Sequence, residues 1–316
     1  MRSEIMYKKR ILMNSRKEKT FSEVYKEFIT SQTAKGISET SIRNYHQVLH
    51  NISKFFDIEI PLDMLSKREL EEMVVKMRAV SLAHNTIATY VRVVGTFLNW
   101  CKAENIVSVE APKIKEKETV KETYSDEELE LLLKRPPADC SFCEYRNWVI
   151  INFLLNSGCR AATVRNIQNR DVNLADSQVI FRHTKNGKIQ VIPLCSRMVN
   201  VLRGYMGIRG GKSSDYLFCD MYGEMLSANA LRLAIAKYNQ RRGVQKTSIH
   251  MFRHTFARKY LVDCGGNAFT LQKLLGHSTL AMTKRYCTIF DADIAKNYDS
   301  FSPLAKLYHP KERIKK

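Results

Sequence analysis

Apolar residues in "HNTIATYVRVVGTFLNWCKAENI" recur every three or four positions: Ile87, Tyr90, Val91, Val94, Phe97, Leu98 and Cys101. That rhythm marks one helix face turned toward a core, with Arg92 and Lys102 off the stripe. Upstream, Ser66 and Glu69 in "SKRELEEMVVKM" stand three apart and predict a capping box, so residues 21–106 read as successive helices. The next segment, "VSVEAPKIKEKETVKETY" (107–124), is charged, contains Pro112 and shows no obvious period, which predicts an exposed linker. A second domain is expected from residue 125, where Ser125 and Glu128 form another capping box. "EYRNWVIINFLLNSG" predicts an apolar helix ended by Gly158. In "QVIFRHTKNGKIQVIPL" two β-rich runs flank Asn186-Gly187, the preferred pair for a two-residue type I′ hairpin. Helical patterns resume near Ser196, with Ser227, Ser248 and Ser278 as N-caps. The expected class is mainly α with a small antiparallel β-sheet in the C-terminal domain (α+β). Four parts are expected: a basic leader (1–20), a helical domain (21–106), the linker (107–124) and a second domain (125–316).

Charge adds a partner class. Fifty-one Lys and Arg against 32 Asp and Glu give a formal net charge of +19 over 316 residues, a field that attracts polyanions, chiefly nucleic acid. No stretch approaches the roughly 18 uninterrupted apolar residues of a membrane span, and the basic N-terminus lacks a signal-peptide core. A cytoplasmic protein with no membrane partner is expected. Eight cysteines are too sparse for a disulfide scaffold. Cys140 and Cys143 form a single C-x-x-C with no second ligand pair, so two ordinary thiols are expected and no metal.

Candidate chemistry centres on "TSIHMFRHTFARKYL", where His250, Arg253 and His254 share a helix face beside a core stripe of Phe252, Phe256 and Tyr260. Arg160, Lys185, Lys188, His277 and Tyr286 complete the candidates. Each alone has an ordinary explanation: a solvated cation near a helix end or turn, or a tyrosine in a core. Together they form a coherent set. Two Arg can clamp the non-bridging oxygens of one phosphate, a Tyr hydroxyl can attack phosphorus, a His can take its proton, and a Lys can protonate the departing oxygen. That chemistry requires neither metal nor cofactor, and no carboxylate cluster suggests a two-metal site.

In order along the chain, "NSGCRAATVRNI", "TKNGKIQVIPL", "HMFRHTFA", "LLGHSTL" and "KRYCTI" resemble the tyrosine recombinases, or phage-integrase family, from about residue 20 to 300. The resemblance implies a C-shaped two-domain DNA clamp: 21–106 as a helical, SAM-like core-binding domain and 125–316 as the catalytic domain, its tail starting near residue 288. A separate arm-binding domain is not expected, because residues 1–20 are too few for one. The resemblance assigns Arg160 and Arg253 to the phosphate clamp, Lys185 to the general acid, and His250 to the first position of the H-x-x-R motif. It makes His277 a phosphate ligand and Tyr286 the nucleophile that becomes 3′-phosphotyrosyl. His254 is supporting; Lys188 and Arg92 are DNA-backbone candidates. Thr163 departs from the family, standing where an acidic residue is common.

The implied activity is site-specific recombination of double-stranded DNA by a homotetramer on two duplexes, compatible with a monomer without DNA. Integration or excision of a mobile element is the expected use. Xer-like dimer resolution, a catalytically silent DNA-binding relative and a type IB topoisomerase are the alternatives.

Overall fold

Among the described residues, twelve α-helices, two short 3-10 helices and one three-stranded antiparallel sheet account for the regular structure. The structure, a computed structural model, describes residues 19–117, 121–184 and 187–284. The leader through residue 18, Lys185, Asn186, Tyr286 and the tail from 288 lie outside them. The chain divides into two compact units, residues 1–119 and 120–316.

The first unit holds α1 (Phe21–Ala34), α2 (Glu39–Ile52), α3 (Lys67–Ala79) and α4 (His84–Ala103). Capping boxes at Thr20/Glu23 and Ser66/Glu69 start α1 and α3 by satisfying amides that have no partner within the helix. The α4 stripe is buried except for half-buried Tyr90, whose hydroxyl accepts from Asn51 Nδ2 at 2.8 Å. Phe97 packs edge-on against Phe21 (centroids 4.8 Å) and Phe28 (5.6 Å), centring an aromatic core.

The stretch expected as an exposed linker is laid down on this unit as far as Lys117. Val107, Val109, Ala111 and Ile114 pack on its core. His84 Nε2 hydrogen-bonds Lys115 O (2.8 Å), and Asn85 exchanges two bonds with the Lys117 backbone (2.9 and 3.1 Å). Apolar residues at 107, 109 and 111 alternate with polar ones, the period of an extended chain with one face down. A search for helical spacing passes over that period.

In the second unit α5 (Asp126–Leu133) follows the predicted Ser125/Glu128 box. Next, α6 (Phe142–Ser157) is buried from Tyr145 through Leu154, as expected of a helix enclosed on all sides. Gly158 ends it at φ 58, and a Cβ there would collide with Phe256 and Leu275. Cys140 and Cys143 are half-buried free thiols. After α7 (Ala161–Asn166) come β1 (Val172–Asn173), β2 (Gln178–Phe181) and β3 (Gln190–Pro193), paired in that order. The remaining helices are α8 (Ser196–Arg209), α9 (Ala228–Arg241), α10 (Ile249–Val262), α11 (Ala268–Leu275) and α12 (Leu280–Lys284). Ser227 caps α9 as expected; Ser248 occupies the cap position of α10 without a side-chain hydrogen bond. No helix among the described residues is long and apolar enough to cross a membrane.

The hairpin departs from the predicted Asn-Gly turn. β2 and β3 pair Val179 with Ile192 and Phe181 with Gln190, a register centred between residues 185 and 186. Gly187 N donates to Thr184 O at 3.0 Å, so the turn closes one residue earlier than an Asn186-Gly187 turn requires. The ladder ends at Phe181 and Gln190, leaving a longer loop (182–189). Val179, Phe181 and Ile192 point into the core. The Asn-Gly turn would instead pair Phe181 with Ile192, one strand moved by two residues, and because side chains alternate with a period of two the same faces would still point inward.

Candidate active site

Helix α10 brings the central side chains in through its first two turns. Its start is anchored by Tyr124, which is buried and stacked on Phe252 with centroids 4.3 Å apart. The Tyr124 hydroxyl donates to Ser248 O (3.2 Å) and its amide to Thr255 Oγ1 (2.9 Å). Phe252 is fully buried, while Phe256 and Tyr260 are half-buried and stacked together (6.0 Å).

Arg253 is 5% exposed and joins three parts of the chain. Its Nη1 donates to Gly158 O at 2.8 Å, its Nη2 to Leu275 O at 2.9 Å, and Nη2 also meets His277 Nε2 at 2.8 Å. The guanidinium thus satisfies carbonyls at the C-terminal ends of α6 and α11. A guanidinium only donates, so His277 Nε2 accepts. The neutral ring then carries its proton on Nδ1, which donates to Thr283 Oγ1 at 2.8 Å. In this arrangement His277 orients Arg253 through Nε2, which then carries no proton to donate to a phosphate.

Arg160 occupies the N-cap position of α7, two residues past Gly158, and is half-buried. Its charge acts on both His250 and His277. Thr163 is buried, its amide donating to Arg160 O at 2.9 Å.

Of the three side chains on this α10 face, Arg253 is the cation near pH 7. Burial, then the charges of Arg253 and Arg160, pushes His277 down to about 4. Burial, then Lys121, His250 and Arg253, pushes His254 down to about 4. His250, open to solvent on one side, is lowered by desolvation and then by Arg253 and Arg160. All three imidazoles are therefore neutral near pH 7, and His250 can accept a proton.

This state has a stability consequence. An unfolded imidazole protonates near 6.5 and folded His277 near 4, so the unfolded chain binds more protons in between. Stability should fall as pH drops through that interval and level off below it. Urea unfolding at pH 7.5 and 4.5 should show wild type losing roughly 2 kcal/mol more than His277→Gln. Equal losses would show that the ring is not held neutral.

Of the remaining expected residues, Lys188 is exposed beyond the ladder. Arg92 is exposed on the first unit, 4.0 Å from Glu116. Lys185 and Tyr286 lie outside the described residues. Two side chains escaped the sequence analysis, Gln190 and Thr283, which hydrogen-bond the α11 end and His277. Gln190 left one signal, a polar residue in phase with buried Ile192.

Comparison with known proteins places this geometry in a family. The model of the phage integrase family matches residues 122–292, and that of the phage integrase N-terminal SAM-like domain matches 24–105. The chain belongs to the phage integrase family, the tyrosine recombinases. Among curated relatives, tyrosine recombinase XerD of Staphylococcus haemolyticus is 26% identical, spanning 90% of this chain and 99% of its own. Tyrosine recombinase XerA of Pyrococcus furiosus is 28% identical, over 86% of this chain and 92% of its own. The fold is shared with the Tn1549 transposon integrase in complex with a circular intermediate DNA (TM-score 0.71, 16% identity, 89% of this chain and 99% of that one). It is also shared with a lambda integrase tetramer bound to a Holliday junction (TM-score 0.69, 16% identity, 86% of this chain and 82% of that one). In this tyrosine recombinase His250 and Arg253 stand three apart on α10, and Arg253 Nη2 meets His277 Nε2 at 2.8 Å.

Proposed function

We propose that the chain is a site-specific DNA recombinase that cuts and rejoins strands through a 3′-phosphotyrosyl intermediate. The observation that carries it is Arg253, a buried guanidinium fixed between two helix ends beside neutral His250 and His277. Arg253 and Arg160 hold the non-bridging oxygens of the scissile phosphate and offset the charge that builds at phosphorus. Tyr286 Oη forms the new bond to phosphorus as the bond to O5′ breaks. His250 takes the phenolic proton and Lys185 gives one to the departing oxygen. A 5′-hydroxyl of the partner duplex then reverses the step. One ester replaces another, so the phosphodiester bond energy is conserved. His277 keeps Arg253 oriented.

The first unit serves as the core-binding domain and the second as the catalytic one, together clamping the duplex, with Arg92 and Lys188 on its backbone. Four protomers on two duplexes complete the exchange, in the cytoplasm. Neutralisation of many phosphates predicts a steep salt dependence: affinity should drop about a thousandfold between roughly 50 and 200 mM salt. A nearly flat log–log plot from filter binding would count against the clamp.

Integration or excision of a mobile element is the use we assign. Near-full-length similarity to Xer recombinases favours a second reading, dimer resolution. Covalent complexes trapped on sheared host genomic DNA, then sequenced, decide between them. Paired sites at the ends of an element support the first use, and one chromosomal site supports the second.

A further inference from the structure

Gln190 begins β3 and forms, with Phe181, the last rung of the ladder before the loop that contains Lys185. Its side-chain amide leaves the sheet and ends on α11. Nε2 donates to Lys273 O at 2.6 Å and to Leu274 O at 2.7 Å. Both are among the last four carbonyls of α11, of which Lys273 O and Gln272 O also accept from the Gly276 amide. The other two are also bonded: Gln272 O accepts from His277 N (3.1 Å), and Leu275 O accepts from Arg253 Nη2 (2.9 Å). Gly276 follows at φ 62, and a Cβ there would lie 2.9 Å from Gln190 Oε1, so glycine lets the backbone close on the amide. One helix end therefore receives Arg253 from α10 and Gln190 from the hairpin, and leads directly into His277.

The other arm of the hairpin is anchored elsewhere, by Arg182 Nε on buried Asp171 Oδ1 (2.7 Å). Within the loop, Thr184 Oγ1 donates to Lys188 O (2.7 Å). Among the described residues of the hairpin, Gln190 supplies the link to the Arg253–His277 centre.

We propose that Gln190 is a positioning residue. Its amide sets the angle at which the hairpin carries the general acid toward the oxygen leaving a phosphate held by Arg253. This rests on Lys185 being that acid. A residue that only completed the α11 end would slow every substrate alike, whereas one that aims the acid matters only where an acid is needed. A 5′-bridging phosphorothiolate separates the two, because a thiolate leaves without a proton.

The experiment is single-turnover cleavage by the full chain on nicked duplexes bearing the site recovered by adduct mapping, with oxygen or sulfur at the bridging position. Gln190→Met keeps volume but removes the donors, and should cleave the oxygen ester roughly 10- to 100-fold more slowly. On the sulfur ester it should approach the wild-type rate, as should Lys185→Ala. Gln190→Arg, which restores donors to the carbonyls, should cleave both esters at near the wild-type rate. Should Gln190→Met not fold, Gln190→Asn, with its donors withdrawn by one methylene, gives the same comparison. Equal slowing on both esters, or no slowing on oxygen, while Lys185→Ala is rescued by sulfur, overturns the role of Gln190. Failure of sulfur to rescue Lys185→Ala removes the general acid itself, and the proposal with it.

Discussion

Arg253→Ala is expected to slow strand cleavage by at least about a thousandfold while leaving DNA binding largely intact. The side chain is nearly inaccessible and tied to Gly158 O, Leu275 O and His277 Nε2, so its geometry is set before DNA arrives. A preorganised donor stabilises developing charge without reorganisation, the source of most of its effect. Truncation also strips hydrogen bonds from two buried carbonyls, at about 1–3 kcal/mol each, so thermal unfolding should be followed alongside. Arg253→Lys separates the effects. It keeps the charge, but a compact ammonium cannot reproduce the planar fork that spans both helix ends and still faces a phosphate. Cleavage should stay at least roughly a hundredfold below wild type on a nicked suicide duplex, with gel-shift affinity little changed. Wild-type rates for either variant would remove Arg253 from the phosphate clamp.

Tyr286→Phe is expected to abolish the covalent protein–DNA adduct altogether. Phenylalanine keeps the ring and loses the one atom that can form the ester, so the loss is of a reactant rather than of a fraction of the rate. Labelled nicked duplex on a denaturing gel should show an adduct with wild type and none with the variant, and salt-dependent binding should be unchanged. Persistence of the adduct, or its mapping to another residue, would overturn the assignment of the nucleophile. Loss of activity together with loss of binding would point to a folding defect and return the question to the wild-type adduct peptide.

Much of the fold was legible because its signals are local. The α4 stripe, both predicted capping boxes and the Gly158 terminator each depend on residues within a turn or two of one another, and each is present. The extended run at 107–111 was also written in alternation, but short and among charges. The hairpin register was not legible: the observed pairing and the Asn-Gly one differ by two residues and bury the same strand faces, so alternation does not choose between them. Within the site, spacing placed His250, Arg253 and His254 on one face. It could not say that the imidazoles are neutral, since desolvation and the nearby guanidinium charges come from the packed environment.

By itself the sequence determined the helical segments, their ends, the basic surplus and the ordered set of reactive side chains. Residue type and short-range spacing suffice for these. Tertiary structure alone decided that Arg253 closes the ends of both α6 and α11, that His277 turns its acceptor nitrogen to that guanidinium, and that Gln190 ties the hairpin to the same helix end. These bonds join residues 22 to 95 positions apart, and no local rule dictates which carbonyl a distant donor will find.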